Sequence, residues 1–162
     1  MSDGRVYRGE FYQGNFEGNG VFTWPDGRNY RGQWLSGKMD GIGTMEWPDG
    51  RRYRGHWRKG KMDGEGHFEF RDGRTYRGSY ERDLKEGYGV YVNPVDGQKY
   101  EGMWHRGQKH GEGTLTKDNG TIFKGTWLLG KKHGLFEMIL KTGRTRRGCW
   151  CKDKWQYWLD RD

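Results

Sequence analysis

Apolar and polar residues alternate along this chain in short stretches, as in Tyr30-Arg31-Gly32-Gln33-Trp34 and Gly20-Val21-Phe22-Thr23-Trp24. Alternation with period two predicts half-buried β-strands. The stretches recur. Tyr7, Tyr30, Tyr53, Tyr76, Tyr100 and Phe123 each open a Tyr/Phe-x-Gly triplet, at a period of 23 residues with one step of 24, and Arg146 stands at the seventh equivalent position. Two positions beyond each glycine comes an aromatic: Phe11, Trp34, Trp57, Tyr80, Trp104, Trp127 and Trp150. A Gly-x-Gly follows in each unit, broken only in the sixth by Phe136, and a turn sequence such as Asp26-Gly27 or Asp49-Gly50 closes it. A fixed period of this length is the signature of a repeat architecture, here with two short strands per unit. Helix is disfavoured by the glycine density.

The turn can be assigned from the alternation. In Trp24-Pro25-Asp26-Gly27 the proline suits a fixed negative φ and the glycine a positive one, which predicts a three-residue loop built on a type I turn with a bulge. That loop sets Phe22 opposite Tyr30 and Gly20 opposite Gly32, and collects the large aromatics on one face. A two-residue loop would scatter them. The predicted fold is all-β, an elongated single-sheet solenoid of about six to seven stacked β-hairpins occupying residues 1–151. Residues 152–162 form a C-terminal cap, for which Trp155, Trp158 and Leu159 at i, i+3, i+4 predict a short amphipathic helix, one more strand being the alternative.

Composition sharpens this reading. Only 31% of the 162 residues are hydrophobic, too few for a conventional two-layer core, but 9 Trp, 10 Tyr and 7 Phe each bring a large area to bury. Thirty glycines would signal disorder if scattered; the aromatics and the period argue against it. The net charge of +8 favours acidic partners. Neither a signal peptide nor an apolar run of membrane-spanning length is present, so the expected location is cytoplasmic, and Cys149 and Cys151 are expected to be free thiols.

The motif Tyr-x-Gly-x-Trp, then Gly-Lys, then Asp/His-Gly-x-Gly, then Asp-Gly resembles the membrane occupation and recognition nexus (MORN) repeat, from about Tyr7 to Trp150. Two departures are visible. Glu17, Asp40, Asp63 and Glu86 stand where the family often has histidine, leaving His110 and His133 to fit, and the family's Tyr-Glu-Gly is mostly Tyr-Arg-Gly. The resemblance implies a scaffold or adaptor with a concave aromatic groove, in a cytoskeletal, ciliary or membrane-proximal assembly.

Both faces offer candidate sites. Tyr30, Trp34, Tyr53, Trp57, Tyr76, Tyr80, Tyr100 and Trp104 share one face, where they either pack on one another as a thin core or floor a groove for a peptide or helix. The other face carries Arg8, Arg31, Arg54 and Arg77, then Glu101, Lys124 and Arg147, a basic stripe spaced at about 10 Å that suits an anionic phospholipid surface. Nucleic acid is disfavoured because the aromatics lie on the opposite face. Open sheet edges also permit a homodimer.

Catalytic and metal chemistry find no support. Gly32-x4-Gly37-Lys38 and Gly55-x4-Gly60-Lys61 imitate a phosphate-binding loop, but Met39 and Met62 replace the Mg²⁺-binding hydroxyl residue and the motif recurs at the repeat period. The five histidines lack zinc spacing, and Cys149 and Cys151 fall short of four ligands. The chain reads as a non-enzymatic binding protein without a cofactor.

Overall fold

The computed structural model describes residues 4–160. The fold is all-β, a sheet of antiparallel hairpins in which strand order is chain order. Two compact units divide it, the first ending at Asp83 and the second beginning at Leu84. The first holds β1 (Val6–Tyr12), β2 (Asn15–Thr23), β3 (Asn29–Leu35), β4 (Lys38–Glu46), β5 (Arg52–Arg58), β6 (Lys61–Glu69) and β7 (Thr75–Glu81). The second holds β8 (Leu84–Asn93), β9 (Gln98–His105), β10 (Gln108–Thr116), β11 (Ile122–Leu128), β12 (Lys131–Ile139), β13 (Thr145–Cys151) and β14 (Lys154–Trp158). No helix occurs among the described residues.

Two kinds of turn alternate, and both follow from sequence. Between β2 and β3 the Gly27 N–H donates to the Trp24 carbonyl at 3.0 Å and the Trp24 N–H to the Arg28 carbonyl at 2.9 Å, with Gly27 at φ 89°. This is the predicted bulged three-residue loop, and it yields the predicted pairs Phe22 with Tyr30 and Gly20 with Gly32. Between β3 and β4 the turn has two residues, Ser36 and Gly37, both at positive φ, the geometry of a type I′ hairpin. Each such turn leans on the preceding repeat: the Gly60 N–H donates to the Met39 carbonyl at 2.8 Å, and the Lys59 N–H to the Asp40 carboxylate at 3.0 Å. Glu17 and Glu86 accept the Ser36 and Arg106 N–H groups in the same way. Three of the acidic residues that depart from the family's histidine, Glu17, Asp40 and Glu86, therefore pin the next turn.

The glycines of the repeat have separate reasons. Gly41 lies at φ 96°, where the register of β4 against β3 shifts between Gly32 and Trp34. Gly43, two residues on, is an issue of space: the Tyr30 ring lies across it, and a Cβ there would collide with the phenol. Gly32 and Gly43 face one another across the strands, so the ring lies flat on a surface without side chains. The Tyr30 hydroxyl then donates to the Gln33 carbonyl at 3.0 Å, at the bulge itself. Tyr53, Tyr76 and Tyr100 repeat this bond to His56, Ser79 and Met103. In the sixth repeat Phe123 has no hydroxyl and Phe136 replaces the glycine; its own buried ring fills the space, 4.8 Å from Trp127.

The C-terminal segment corrects the helical expectation. Lys154–Trp158 is strand β14, paired with β13 through Cys151 with Lys154, Trp150 with Trp155 and Gly148 with Trp158; Arg161 and Asp162 lie outside the described residues. A flat strand would put residues 155 and 158 on opposite faces. A register shift between Cys149 and Trp150 brings both rings to one face, where their centroids are 5.7 Å apart, and so mimics helical spacing.

Candidate functional site

Of the eight aromatic residues singled out by sequence, Tyr30, Trp34, Tyr53, Trp57, Tyr76 and Tyr80 lie together on one face of the first unit and Tyr100 and Trp104 together on one face of the second, and in each they form the floor. Tyr30, Tyr53 and Tyr76 are 0% exposed, and Trp34, Trp57, Tyr80 and Trp104 are 6%. In the first unit the rings form a herringbone: Tyr30 meets Trp34 and Trp57 edge-on at 5.2 and 5.4 Å, and Tyr53 meets Trp57 and Tyr80 at 5.1 and 5.4 Å. In the second unit Tyr100 meets Trp104 and Trp127 at 5.3 and 5.1 Å. Edge-to-face contact of this kind is the favoured aromatic geometry and adds to the area each ring buries. The Trp34, Trp57 and Trp104 indole N–H groups are satisfied by the Gly20, Gly43 and Gly89 carbonyls. Desolvation raises the phenol pKa values of Tyr30, Tyr53, Tyr80 and Tyr100 well above the ordinary 10.

Beside these rings on the same face stands a further row of side chains. Opposite Phe11, Trp34 and Trp57 stand Phe16, Met39 and Met62; opposite Trp104 and Trp127 stand Lys109 and Lys132. All five are half-buried. Lys85 occupies the equivalent place at the start of the second unit. The turn ends add Trp24, Trp47 and Phe70 in the first unit, each with an arginine of its own turn over the ring: Arg28, Arg51 and Arg74 at 5.1 to 5.3 Å. In the second unit the corresponding residues are Asn93, Lys117 and Leu140. This accessible row was not singled out by sequence reasoning, although its position, one residue after the start of each second strand, recurs visibly as Phe16, Met39, Met62, Lys85, Lys109 and Lys132.

The opposite face bears the arginines. Arg8, Arg31, Arg54 and Arg77 are all exposed, and their cross-strand neighbours are Val21, Thr44 and His67. Arg54, His56, Glu65, His67 and Arg77 line one shallow depression there. In the second unit the row changes character. Glu101 is paired with Lys99 at 3.0 Å, Lys124 lies opposite Glu137, and Arg147 is held by Asp160 at 2.9 Å. The basic stripe is therefore a property of the first unit.

Among the described residues no group of three or more His, Cys, Asp or Glu side chains is placed to hold a metal, and no helix is long and apolar enough to cross a membrane. Cys149 and Cys151 are free thiols.

The repeat read from the sequence matches the model of the MORN repeat family at residues 7–27, 30–51, 53–73, 76–97, 100–122 and 123–135. The chain belongs to the MORN repeat family. No curated protein matches it. Among solved structures, the TCP domain of SAS-4 from Drosophila melanogaster, in complex with a proline-rich motif of Ana2, is similar over 88% of this chain and 83% of that one, at 13% identity and TM-score 0.49. Two forms of the TCP10 domain of Danio rerio CPAP, a point mutant and the wild type, match over 99% of this chain and 81% of theirs, at 21% and 18% identity and TM-scores of 0.42 and 0.36.

Proposed function

We propose that this MORN repeat protein is a non-enzymatic scaffold that binds a protein segment across its aromatic face, in the cytoskeletal, ciliary or membrane-proximal setting that family resemblance implies. The observation that carries the proposal is the layering of that face. In the first unit buried Tyr30, Trp34, Tyr53, Trp57, Tyr76 and Tyr80 make a stiff floor with half-buried Phe16, Met39 and Met62 above it in a row, and in the second unit buried Tyr100 and Trp104 take the same part. Methionine is flexible and polarisable, and suits a surface that adapts to a partner side chain. A contiguous row of this kind on a rigid sheet is the arrangement expected of a groove for a helix or peptide.

The experiment is capture of cytoplasmic proteins at low and high salt on the wild-type chain and on Met39→Glu/Met62→Glu, with circular dichroism to confirm that the variant folds. A defined protein retained in high salt by the wild type and lost by the folded variant supports the proposal. Retention by both contradicts it.

The outer face favours a second reading, a membrane-surface adaptor for anionic phosphoinositides. Arg8, Arg31, Arg54 and Arg77 stand exposed along one row, and among the described residues none of them lies within 4.0 Å of a carboxylate oxygen. Each basic residue near an anionic bilayer contributes roughly 1 kcal/mol, so four would give modest, salt-sensitive attachment. Arg31→Glu/Arg54→Glu/Arg77→Glu is expected to abolish binding to phosphoinositide vesicles; unchanged binding removes this reading.

A further inference from the structure

In the second unit the row above the aromatic floor consists of lysines, and their placement is specific. Lys85 Nζ lies 4.9 Å from the Tyr91 ring centroid and 4.8 Å from that of Trp104, and Lys109 Nζ lies 4.8 Å from Tyr100. Lys132 Nζ is 4.3 Å from Phe123 and 5.6 Å from Trp150. Lys117 Nζ converges on the same Phe123 ring at 5.5 Å. Two ammonium groups thus share one ring. Neither Lys109 nor Lys132 has a carboxylate oxygen within 4.0 Å among the described residues, although Asp153 contributes at longer range to both and Asp96 to Lys109. Burial pushes the pKa values of both amines below the ordinary lysine value.

An ammonium ion over a ring gains from the quadrupole but keeps N–H donors that the ring does not satisfy. In a partly desolvated place a carboxylate is the fitting acceptor, and a charge-assisted bond is the stronger for it. Spacing narrows the ligand further. Lys85, Lys109 and Lys132 lie on β8, β10 and β12, each two strands from the next, hence about 10 Å apart. A helix laid across the strands presents residues i, i+7 and i+14 on one side at about 10.5 Å intervals. An extended peptide would need about three residues for the same distance, which puts successive side chains on opposite faces.

We infer that the aromatic face of the second unit receives an acidic helical protein segment whose carboxylates recur every seven residues and meet Lys85, Lys109 and Lys132, with Lys117 as a second donor beside Lys132. The inference rests on the protein-binding reading of this face and names the partner's chemistry. The first unit supplies an internal control. Met39 and Met62 stand opposite Trp34 and Trp57 as Lys109 and Lys132 stand opposite Trp104 and Trp127, so the repeat folds with either residue.

The test uses two labelled helical peptides of identical composition, one with Glu at i, i+7 and i+14 on a Leu/Ala face and one with the same Glu residues at i, i+5 and i+10. Binding to the full chain is followed by fluorescence anisotropy, and the indole N–H signals of Trp127 and Trp150 report whether the second unit's aromatic face is engaged. The expected result is binding of the matched peptide at least about tenfold tighter than its isomer, with shifted indole signals, and a loss of about tenfold in Lys109→Met/Lys132→Met. Lys109→Gln/Lys132→Gln serves as a second variant, and circular dichroism confirms that each is folded. Equal binding of the two peptides, no binding of the matched one, or binding unaffected by both variants overturns the inference. If in the first or last of these cases the indole signals still shift, the protein-binding reading of the face survives; binding that leaves them unmoved removes that reading for the second unit as well. Binding of phosphatidylserine vesicles that is lost in the variants, without peptide binding, assigns the lysines to lipid and also overturns it.

Discussion

The two units of this chain share a floor and differ in what stands on it. In both, tyrosine and tryptophan rings lie edge to face over paired glycines, with the Trp57 and Trp104 indole N–H groups given to the Gly43 and Gly89 carbonyls. Above that floor the first unit carries Phe16, Met39 and Met62, the second Lys85, Lys109 and Lys132. The outer faces differ in the opposite sense: four exposed arginines run along the first unit, while in the second Glu101, Glu137 and the Asp160-bound Arg147 balance the row. The floor positions are constrained by packing and repeat, with Phe123 and Phe136 of the sixth repeat as a paired exchange within the core. The change in chemistry between the units lies mainly in the half-buried row above the floor and in the exposed outer row. A solenoid can in this way present two surfaces of different chemistry on one repeated frame.

If the floors are equivalent, damage to either is equally costly. Trp57→Ala in the first unit and Trp127→Ala in the second, 6% and 2% exposed, are each expected to lower stability by about 3–5 kcal/mol in urea unfolding. A small effect at one of them would break the equivalence.

Alkaline pH should separate the units. Tyr30, Tyr53 and Tyr80 of the first unit and Tyr100 of the second have phenol pKa values raised by burial above the 10 of an unfolded tyrosine. The unfolded chain then loses these protons before the folded one. The stabilisation is complete below about pH 10 and is lost as pH rises toward the folded pKa values. Amide hydrogen exchange followed across this range is expected to show the first unit opening at lower pH than the second, with tyrosinate absorbance rising together with the opening.

A smaller effect attaches to the phenol hydroxyls. Tyr53→Phe removes a 3.0 Å bond to the His56 carbonyl and is expected to cost about 1 kcal/mol, mostly through the unpaired carbonyl it leaves. Phe123, which already lacks the hydroxyl, shows that the frame tolerates the loss when a ring such as Phe136 fills the neighbouring space. The smallest effect should come from exchanging the upper layers. Met39→Lys/Met62→Lys and Lys109→Met/Lys132→Met are expected to change stability by less than about 1.5 kcal/mol while changing what binds, as judged by paired melting and binding measurements.

Much of this was legible in the chain. The period, the alternation and the Trp24-Pro25-Asp26-Gly27 turn were enough to set the register of Phe22 against Tyr30, because a strand with one buried face admits only one pairing. The gathering of the rings onto one face within each unit was legible for the same reason. Their depth was not: Tyr30 reaches 0% exposure only because it folds onto the glycine pair Gly32 and Gly43, a contact between residues that alternation places side by side without saying how the ring tilts. The bulge was equally hidden. It turned Trp155 and Trp158 onto one face of β14 and produced a helical spacing in a strand. The row from Phe16 to Lys132 was present in the sequence and passed over, since mixed apolar and charged residues do not stand out until the structure puts them over rings.

The central claim is that partners bind the aromatic face, above the ring floor. Site-specific photo-crosslinking in cells tests it most directly, with a benzophenone amino acid placed at Met62 on that face or at Arg54 on the outer face. The account predicts a discrete protein adduct from position 62 and none from position 54. An adduct from position 54 alone would contradict it and move the binding surface to the arginine stripe.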